Sequence, residues 1–163
     1  MFTGGCQCMI GIALKIGKIK GDVVALKVIN SMFKKIKKNG CVYYPSDATF
    51  SLGSHFDEVL FYFKHNGVYK FVVADIERFL NFGKAKGVPS DLFSYDHVGF
   101  SGVNYRDWFL ISNMREVSLD YVSRLNAIYS NSDIVDLLTV MKKPNLYHIP
   151  YVIGTEDKDI LIK

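Results

Sequence analysis

The sequence predicts an α+β fold in which a small, curved, mostly antiparallel β-sheet or barrel is flanked by helices. Two observations support this class. Segments of strand-like composition outnumber helix-like segments, and several are joined by short turns. The longest such unit, residues 57–79, places two runs of Val, Phe and Tyr around Asn66-Gly67 and indicates one long β-hairpin. We expect this hairpin to organise the sheet.

The turn of this hairpin carries the strongest local signal in the chain. Asn66-Gly67 supplies the two positive-φ residues that a tight hairpin turn needs. The flanking runs, residues 59–63 and 71–74, are continuously apolar rather than alternating. Strands of this kind are typically covered on both faces. The hairpin is therefore predicted to lie centrally in the sheet.

Three elements are predicted before the hairpin. Residues 9–19 indicate a strand because apolar residues alternate from Ile12 onward, and residues 23–29 indicate a second strand. Asn30 and Ser31 are good N-caps for a short helix that ends at Asn39-Gly40. An extended segment, residues 41–44, follows and is stopped by a proline, after which a polar loop of about ten residues leads into the hairpin.

After the hairpin the chain has a long connection rich in glycine, serine and aromatic residues, which is typical of a functional or mobile loop. The pattern then predicts an apolar strand at 107–117, a helix at 119–129 capped by Ser118, a helix at 133–143 capped by Ser132, and a strand at 146–153. We expect a single domain over residues 1–153 and a polar tail or linker over residues 154–163.

Composition limits the classes of protein to which the chain can belong. The apolar fraction of 49% is typical of a folded domain, and no apolar run reaches the ~18 residues needed to span a bilayer. A cytoplasmic location without membrane association is therefore expected. Three cysteines do not form a disulfide framework, and Cys6 and Cys8 lack a second ligand pair at metal spacing. We predict neither a metal nor a cofactor.

Positive charge is concentrated in the first part of the chain. The formal net charge is only +4, but the first 38 residues contain eight lysines and one acidic residue, Asp22. Such asymmetry indicates a polyanionic partner or a membrane surface. The lysines of the predicted helix can also be a solvated face that complements the helix dipole. Both interpretations of the lysine-rich helix stand at this point.

The order of elements and the letters of the hairpin resemble a known superfamily. The segment DEVLFY at 57–62 is followed by FVVADI at 71–76, then by a long loop, a strand beginning with Trp-Phe and a helix. This resembles the PUA-like superfamily, and within it the EVE, ASCH and YTH group. In EVE-like proteins a glycine precedes the aspartate, whereas here His55-Phe56 precedes Asp57. The glycine-lysine-arginine signature of ASCH domains is absent.

The resemblance implies a small β-barrel that binds DNA or RNA. In the EVE and YTH branches, a pocket beside the barrel takes up a flipped, often modified, base between aromatic side chains. Such domains also serve as the N-terminal recognition part of modification-dependent restriction GTPases. The resemblance therefore implies a non-enzymatic recognition domain that is fused or bound to a larger effector protein.

A base pocket needs aromatic faces, polar groups and nearby cations. For the pocket we select eight residues from two aromatic-rich stretches: Tyr44, Ser46, Tyr95, Phe100, Ser101, Asn104, Tyr105 and Trp108. For phosphate contact we select Lys34, Lys35, Lys37, Lys38 and Arg106. Trp108 opens an apolar strand and has an alternative role in the core. In an extended segment Tyr43 and Tyr44 point to opposite faces, so at most one lines the pocket.

Two further function classes stay open. In the first, the basic helix binds an acidic protein partner and the loops are inert. In the second, the chain is a small enzyme acting on a nucleotide or RNA, with Cys41, His97 and Asp96 as a thiol dyad and its orienting acid. The sequence contains no phosphate-binding loop, no G-x-G-x-x-G and no paired-carboxylate signature, so a non-enzymatic protein is predicted.

Overall fold

A mixed eight-stranded sheet forms the centre of the described part of the chain. The computed structural model describes residues 9–16, 22–46, 56–89, 104–129, 133–143 and 148–152. The strands are β1 (Ile10–Lys15), β2 (Cys41–Ser46), β3 (Glu58–His65), β4 (Val68–Asn81), β5 (Asp107–Val117), β6 (Asn126–Tyr129), β7 (Asp133–Asp136) and β8 (His148–Val152). The helices are α1 (Asp22–Asn39), α2 (Leu119–Ser123) and α3 (Leu137–Met141), with a short 3₁₀ turn at Gly83–Ala85.

The strand order is β2-β5-β4-β3-β1-β8-β6-β7. Among the described strands, β1 and β3 form the one parallel pair, and every other neighbouring pair is antiparallel. The pairing leaves β2 and β7 at the two edges, so the sheet is open. The predicted α+β class with a mostly antiparallel sheet is therefore confirmed.

The hairpin has the structure that the sequence predicts. Asn66 and Gly67 form its turn with φ angles of 53° and 78°, and β3 pairs with β4 from His65↔Val68 to Glu58↔Asp75. The two strands are the third and fourth of the eight. All residues of β3 from Glu58 to Phe63 are buried. Burial on both faces explains why this strand lacks alternation.

The second predicted strand, residues 23–29, is wrong, because these residues form the first half of α1. Valines and isoleucine favour strands as single residues, but their spacing here is helical. Ala25, Val28, Ile29 and Met32 recur at helical intervals, and all four are buried against the sheet. The helix therefore begins at Asp22 rather than at the Asn30-Ser31 caps.

The two predicted C-terminal helices are also wrong over most of their length. Only Leu119–Ser123 and Leu137–Met141 are helical, and β6 and β7 occupy most of the rest of the two segments. Ser118 caps α2 as predicted, with its hydroxyl oxygen 3.2 Å from the Tyr121 amide. The cap of α3 is Asp136 rather than Ser132, which lies outside the described residues. Pairing of β6 with β7 and β8 outweighs the local helical pattern.

The predicted end of the segment 41–44 at the proline is wrong, because β2 continues through Pro45 to Ser46; β2 is an edge strand, where a proline is tolerated. The other elements agree with the sequence pattern where they are described. The strand at 107–117 is β5 in full, and β1 and β8 lie inside the predicted ranges 9–19 and 146–153. Most of the predicted loop after the hairpin, residues 90–103, and the predicted tail, residues 154–163, lie outside the described residues. In the described part of the chain, each helix is too short or too polar to cross a membrane.

The sheet has two differently covered faces. Side chains on one face, including Ile12, Val42, Val59, Phe61 and Phe109, pack under α1, and we call this the α1 face. Side chains on the other face, including Ala13, Leu60, Tyr62, Val73 and Tyr151, pack with residues of α2 and α3 such as Val122 and Leu137, and we call this the α2/α3 face. The two faces carry different candidate sites.

Candidate nucleic-acid interface and buried carboxylate

A row of lysines follows the outer side of α1. The helix packs against the sheet through Ala25, Val28, Ile29 and Met32, all buried. Its opposite side presents four exposed lysines, Lys27, Lys34, Lys37 and Lys38, while Lys35 is half-buried. We call these four exposed residues the lysine face. Three of the lysines selected from the sequence belong to it, and Lys27 is an addition that becomes apparent once residues 23–29 are helical.

Charge on this helix is almost entirely positive. Five lysines and one aspartate, Asp22, give it a formal charge of +4. Lys37 and Lys38 occupy the last turn, where the negative end of the helix dipole favours cations. Lys27 lies more than two turns earlier, ~15 Å from Lys37 along the axis. Dipole complementation therefore accounts for the last turn only, and the rest of the lysine face needs another explanation.

Trp108, selected for the base pocket, is a core residue in this structure. Its relative exposure is 0%, and its indole Nε1 donates to the carbonyl oxygen of Gly87 at 2.9 Å. Its ring meets Tyr43 and Tyr105 edge-on, with centroid distances of 6.4 Å and 5.6 Å. The structure therefore brings Tyr105 and Trp108 together, but without an open aromatic face on Trp108.

Tyr44 lies on the opposite side of the sheet from Trp108. It pairs with Phe109 across β2 and β5, and its ring packs edge-on against Phe61 at 4.9 Å on the α1 face. Burial, followed by the nearby Tyr105, raises the pKa of Tyr44 well above its ordinary value. Tyr43 points the other way into the Trp108 cluster, as the alternation of an extended strand requires. Tyr44 and Trp108 therefore do not line one cavity.

The other selected residues are spread over the same end of the sheet. Ser46 is half-buried and pairs with Asp107, Asn104 is exposed, and Arg106 is half-buried with its carbonyl oxygen 2.8 Å from the Phe82 amide. Cys41 is half-buried beside the Trp108 cluster. Residues selected in the long loop lie outside the described part of the structure: Tyr95, Asp96, His97, Phe100 and Ser101.

A buried glutamate on the α2/α3 face was not selected from the sequence. Glu58 is 5% exposed at the start of β3. Its Oε2 accepts hydrogen bonds from the hydroxyls of Tyr151 at 2.7 Å and Tyr121 at 3.3 Å. Its Oε1 lies 3.9 Å from Nη2 of Arg115. Two hydroxyl donors and one guanidinium, from three elements distant in sequence, therefore surround one carboxylate.

A glycine makes the shortest of these contacts possible. Glu58 and Tyr151 lie on β3 and β8, which are separated by β1, and both are paired with Gly11. A Cβ at Gly11 would lie 2.3 Å from Cζ of Tyr151. The Tyr151 ring therefore crosses β1 over the one residue that has no side chain, and its hydroxyl reaches Glu58 on the far side.

The outer rim of this cluster is polar and partly open. Asp75 pairs with Glu58 and accepts from Nη1 of Arg115 at 3.2 Å and from Nδ2 of Asn113 at 3.0 Å. Asn113 has a φ of 49°, next to an irregularity in the β4–β5 register. A bulge of this kind redirects side chains, and here it brings Asn113 and Arg115 together at Asp75.

Burial dominates the electrostatics of the cluster. Burial raises the pKa of Glu58, while the Tyr151 hydrogen bond, Arg115 and the Tyr121 hydrogen bond act in the opposite direction. The pKa of Tyr121 is raised to about 12, first by burial and then by Glu58. The arrangement can hold a proton on a buried carboxylate. An acidic residue at the start of a continuously apolar strand was the sequence signal, but its three donors are not readable from the sequence.

No protein-family model matches the chain. No curated protein and no solved structure matches it either. The structure shows an α+β chain with a mostly antiparallel open sheet, a lysine face on one side and a buried carboxylate cluster on the other.

Proposed function

We propose that this chain binds nucleic acid through the lysine face of α1, mainly by contacts with phosphates. The observation that carries the proposal is that Lys27, Lys34, Lys37 and Lys38 are all exposed on one side of a helix whose other side is buried. A polyanion that presents a charge every ~1.7 Å can engage such a row at several points.

The helix is well suited to present these charges. Its apolar side packs on the central strands through residues such as Ile29 and Met32, both at most 2% exposed. The lysines are therefore held on a fixed support, and they can be replaced without removing core contacts. Phosphate contacts of this type fix a protein on its nucleic acid but carry no sequence information.

Base recognition and the PUA-like assignment stay predictions. Trp108 is buried and Tyr44 faces the other side of the sheet, so neither is part of the interface proposed here. A base pocket would depend on Tyr105 together with the loop residues Tyr95, Phe100 and Ser101. The α+β sheet is compatible with the PUA-like assignment, and a recognition domain for modified DNA or RNA is the finer form of the proposal.

The test is fluorescence anisotropy with labelled single- and double-stranded DNA and RNA, with and without methylated bases, at several salt concentrations. The variant Lys27→Glu/Lys34→Glu/Lys37→Glu/Lys38→Glu is expected to lose binding. Its matched control reverses four exposed lysines elsewhere: Lys64, Lys70, Lys84 and Lys142. Both variants change the net charge equally, so a difference between them locates the interface.

Salt dependence provides the second measurement. Each phosphate contact adds ~0.9 to the slope of log K against log salt for duplex DNA. Four lysines therefore predict a slope near −3.6, reduced by about one unit for each single Lys→Gln change. Equal loss of binding in the two quadruple variants would contradict the proposal. Equally tight binding of poly-glutamate would instead favour an acidic protein partner.

A further inference from the structure

A groove lies on the α2/α3 face near the hairpin turn, away from the Glu58 cluster. Its volume is about 590 Å³. The start of β4 forms one wall, the end of β5 and Leu119 form the second, and α3 forms the third. The lining is largely apolar and aromatic, with Tyr69, Phe71, Val117, Leu138 and Met141 as its main side chains. We call this the hairpin groove.

Exposed apolar surface lies at the edge of this groove. Four large apolar residues are exposed in the described part of the chain, and one of them, Leu119, lines the groove with an exposure of 59%. Val68 also belongs to the lining, but by the alternation of β4 its side chain is directed to the α1 face. Isolated exposed apolar residues need no explanation, but Leu119 lines the groove together with the half-buried Tyr69, Val117 and Leu138, and a contiguous patch on a concave surface marks a binding site. A volume of 590 Å³ falls in the range of small-molecule sites, ~300–1,000 Å³.

Two lysines lie at or beside the groove. Lys142 is exposed and lines the groove, and Nζ of Lys64 lies 5.3 Å from the centroid of the Tyr69 ring. Lys70 and Glu116 also line it. Their partners across the sheet, Phe63 and Val72, pack on the α1 face, so the side chains of Lys70 and Glu116 are directed to that face. The two cations at its rim are therefore Lys142, which lines the groove, and Lys64, which lies outside the lining but contacts the ring of Tyr69.

We propose that the hairpin groove binds a single-chain fatty acid. The alkyl chain lies along Tyr69, Phe71, Val117 and Met141, and the carboxylate lies between Lys64 and Lys142. An apolar floor with cations at the rim is complementary to this amphiphile. A peptide helix ~10 Å wide and ~20 Å long would fill on the order of 1,600 Å³, well beyond the groove. A second copy of the chain would bring like charges together.

Isothermal titration with octanoate, decanoate and dodecanoate, all below their micelle-forming concentrations, tests the apolar part. Affinity is expected to rise about fourfold per methylene, or about fifteenfold for each step of two. Decan-1-ol and decyltrimethylammonium are matched ligands without a negative charge, and both are expected to bind more weakly than decanoate. Decanoate that binds no more tightly than octanoate or decyltrimethylammonium overturns the proposal.

Charge variants test the rim. Lys64→Glu/Lys142→Glu is expected to weaken decanoate binding about tenfold and to leave decan-1-ol unchanged. The control Lys84→Glu/Lys86→Glu makes the same charge change at two exposed lysines elsewhere and is expected to bind decanoate normally. Equal affinity of the two variants for decanoate overturns the proposal.

Substitutions at Leu119 separate the effect of charge on decanoate affinity from the effect of lost apolar contact. Leu119 is the first residue of α2 and is exposed, so Leu119→Glu and Leu119→Lys keep the core intact, which thermal unfolding verifies. Both variants lose the same apolar surface, but Leu119→Glu is expected to bind decanoate at least fivefold more weakly than Leu119→Lys. Equal affinities would place the carboxylate elsewhere and overturn the assignment.

Other occupants give different results. Chain-chain association through the groove would appear as a dimer in sedimentation that Leu119→Glu abolishes, without binding of decanoate. Adsorption to a bilayer would appear as co-sedimentation with phosphatidylcholine vesicles, again without binding of monomeric decanoate. Either result overturns the proposal. Binding of nucleic acid by the lysine face is independent of these measurements on the groove, because α1 covers the opposite face of the sheet.

Discussion

The two faces of the sheet differ in what lies between the sheet and its helices. On the α1 face an 18-residue helix meets the strands through an apolar layer, and the four lysines of the lysine face lie on its outer side. On the α2/α3 face two five-residue helices leave room for a buried glutamate and an open groove. A long helix can separate core from surface by its own periodicity, whereas short helices leave polar and concave features in the sheet itself.

The two faces therefore differ in whether a functional residue can be replaced without a loss of stability. On the α1 face the functional candidates are surface lysines whose replacement removes no core contact. On the α2/α3 face the carboxylate of Glu58 contacts core residues such as Tyr151 directly. Substitutions there are expected to change both the free energy of unfolding and the pKa of Glu58. The four predictions below test this contrast in order of decreasing effect.

Trp108→Ala should have the largest effect. It removes a fully buried indole and the hydrogen bond to Gly87, and we expect the free energy of unfolding to fall by about 4 kcal/mol. Urea unfolding followed by circular dichroism measures this. The control Trp108→Phe retains most of the packing and loses the hydrogen bond, for about 1.5 kcal/mol. A stable Trp108→Ala protein that has lost nucleic-acid binding would instead show a ligand-contacting tryptophan.

Gly11→Val is expected to destabilise the protein by about 3 kcal/mol. The new side chain would occupy the position of the Tyr151 ring and separate its hydroxyl from Glu58. Gly83→Ala is the control, because a Cβ there meets no atom within 4 Å, although its φ of 65° still disfavours alanine. We expect the free energy of unfolding of the control to fall by about 1 kcal/mol. Equal losses of stability in Gly11→Val and Gly83→Ala would mean that the Tyr151 ring can move aside without disturbing its contact with Glu58.

Glu58→Gln should lower the free energy of unfolding by about 1 kcal/mol near pH 4, where Glu58 is mostly protonated in the folded state, and by less at higher pH. Burial raises the folded-state pKa of Glu58 above its unfolded value. The stability this group contributes is therefore fully present below the unfolded pKa and is lost as pH rises through the folded pKa. Glutamine does not titrate, so the deficit of the variant should shrink from pH 4 to pH 7. The measurement is urea unfolding at both pH values.

A deficit of Glu58→Gln that grows with pH would contradict the direction of this pKa change. Tyr151→Phe supplies the matched comparison, because it removes the hydroxyl that donates at 2.7 Å and keeps the ring. Removing this donor should raise the pKa of Glu58 further, so the stability of Tyr151→Phe should fall more steeply with rising pH than that of the wild type.

The smallest effect on stability is expected on the α1 face. Lys27→Gln/Lys34→Gln/Lys38→Gln should change the free energy of unfolding by no more than about 1 kcal/mol, because these side chains are exposed and only Lys38 lies in the last turn. The same variant should lose most of its affinity for nucleic acid. A loss above about 3 kcal/mol would show that the lysine stems cover apolar surface, and the contrast between the faces would fail.

The sequence alone determined those elements whose signals are local. Asn66-Gly67 predicted the hairpin turn because its positive φ angles are a property of two residues, and the apolar run of β5 predicted the strand at 107–117. The helical spacing of Ala25, Val28, Ile29 and Met32 was also present in the sequence. It was outweighed by the strand preference of the β-branched residues among residues 23–29.

Tertiary structure decided the features that depend on distant partners. Asn126–Tyr129 is a strand because β7 and β8 pair with it, although its own pattern indicates a helix. Tyr44 and Trp108 are separated by one sheet because they lie on opposite faces of paired strands. Glu58 has its donors because Gly11 lets the Tyr151 ring cross β1. Pairing and close approach between separate segments of the chain leave no local signal, so the sequence could predict most of the strands but not the sites built between them.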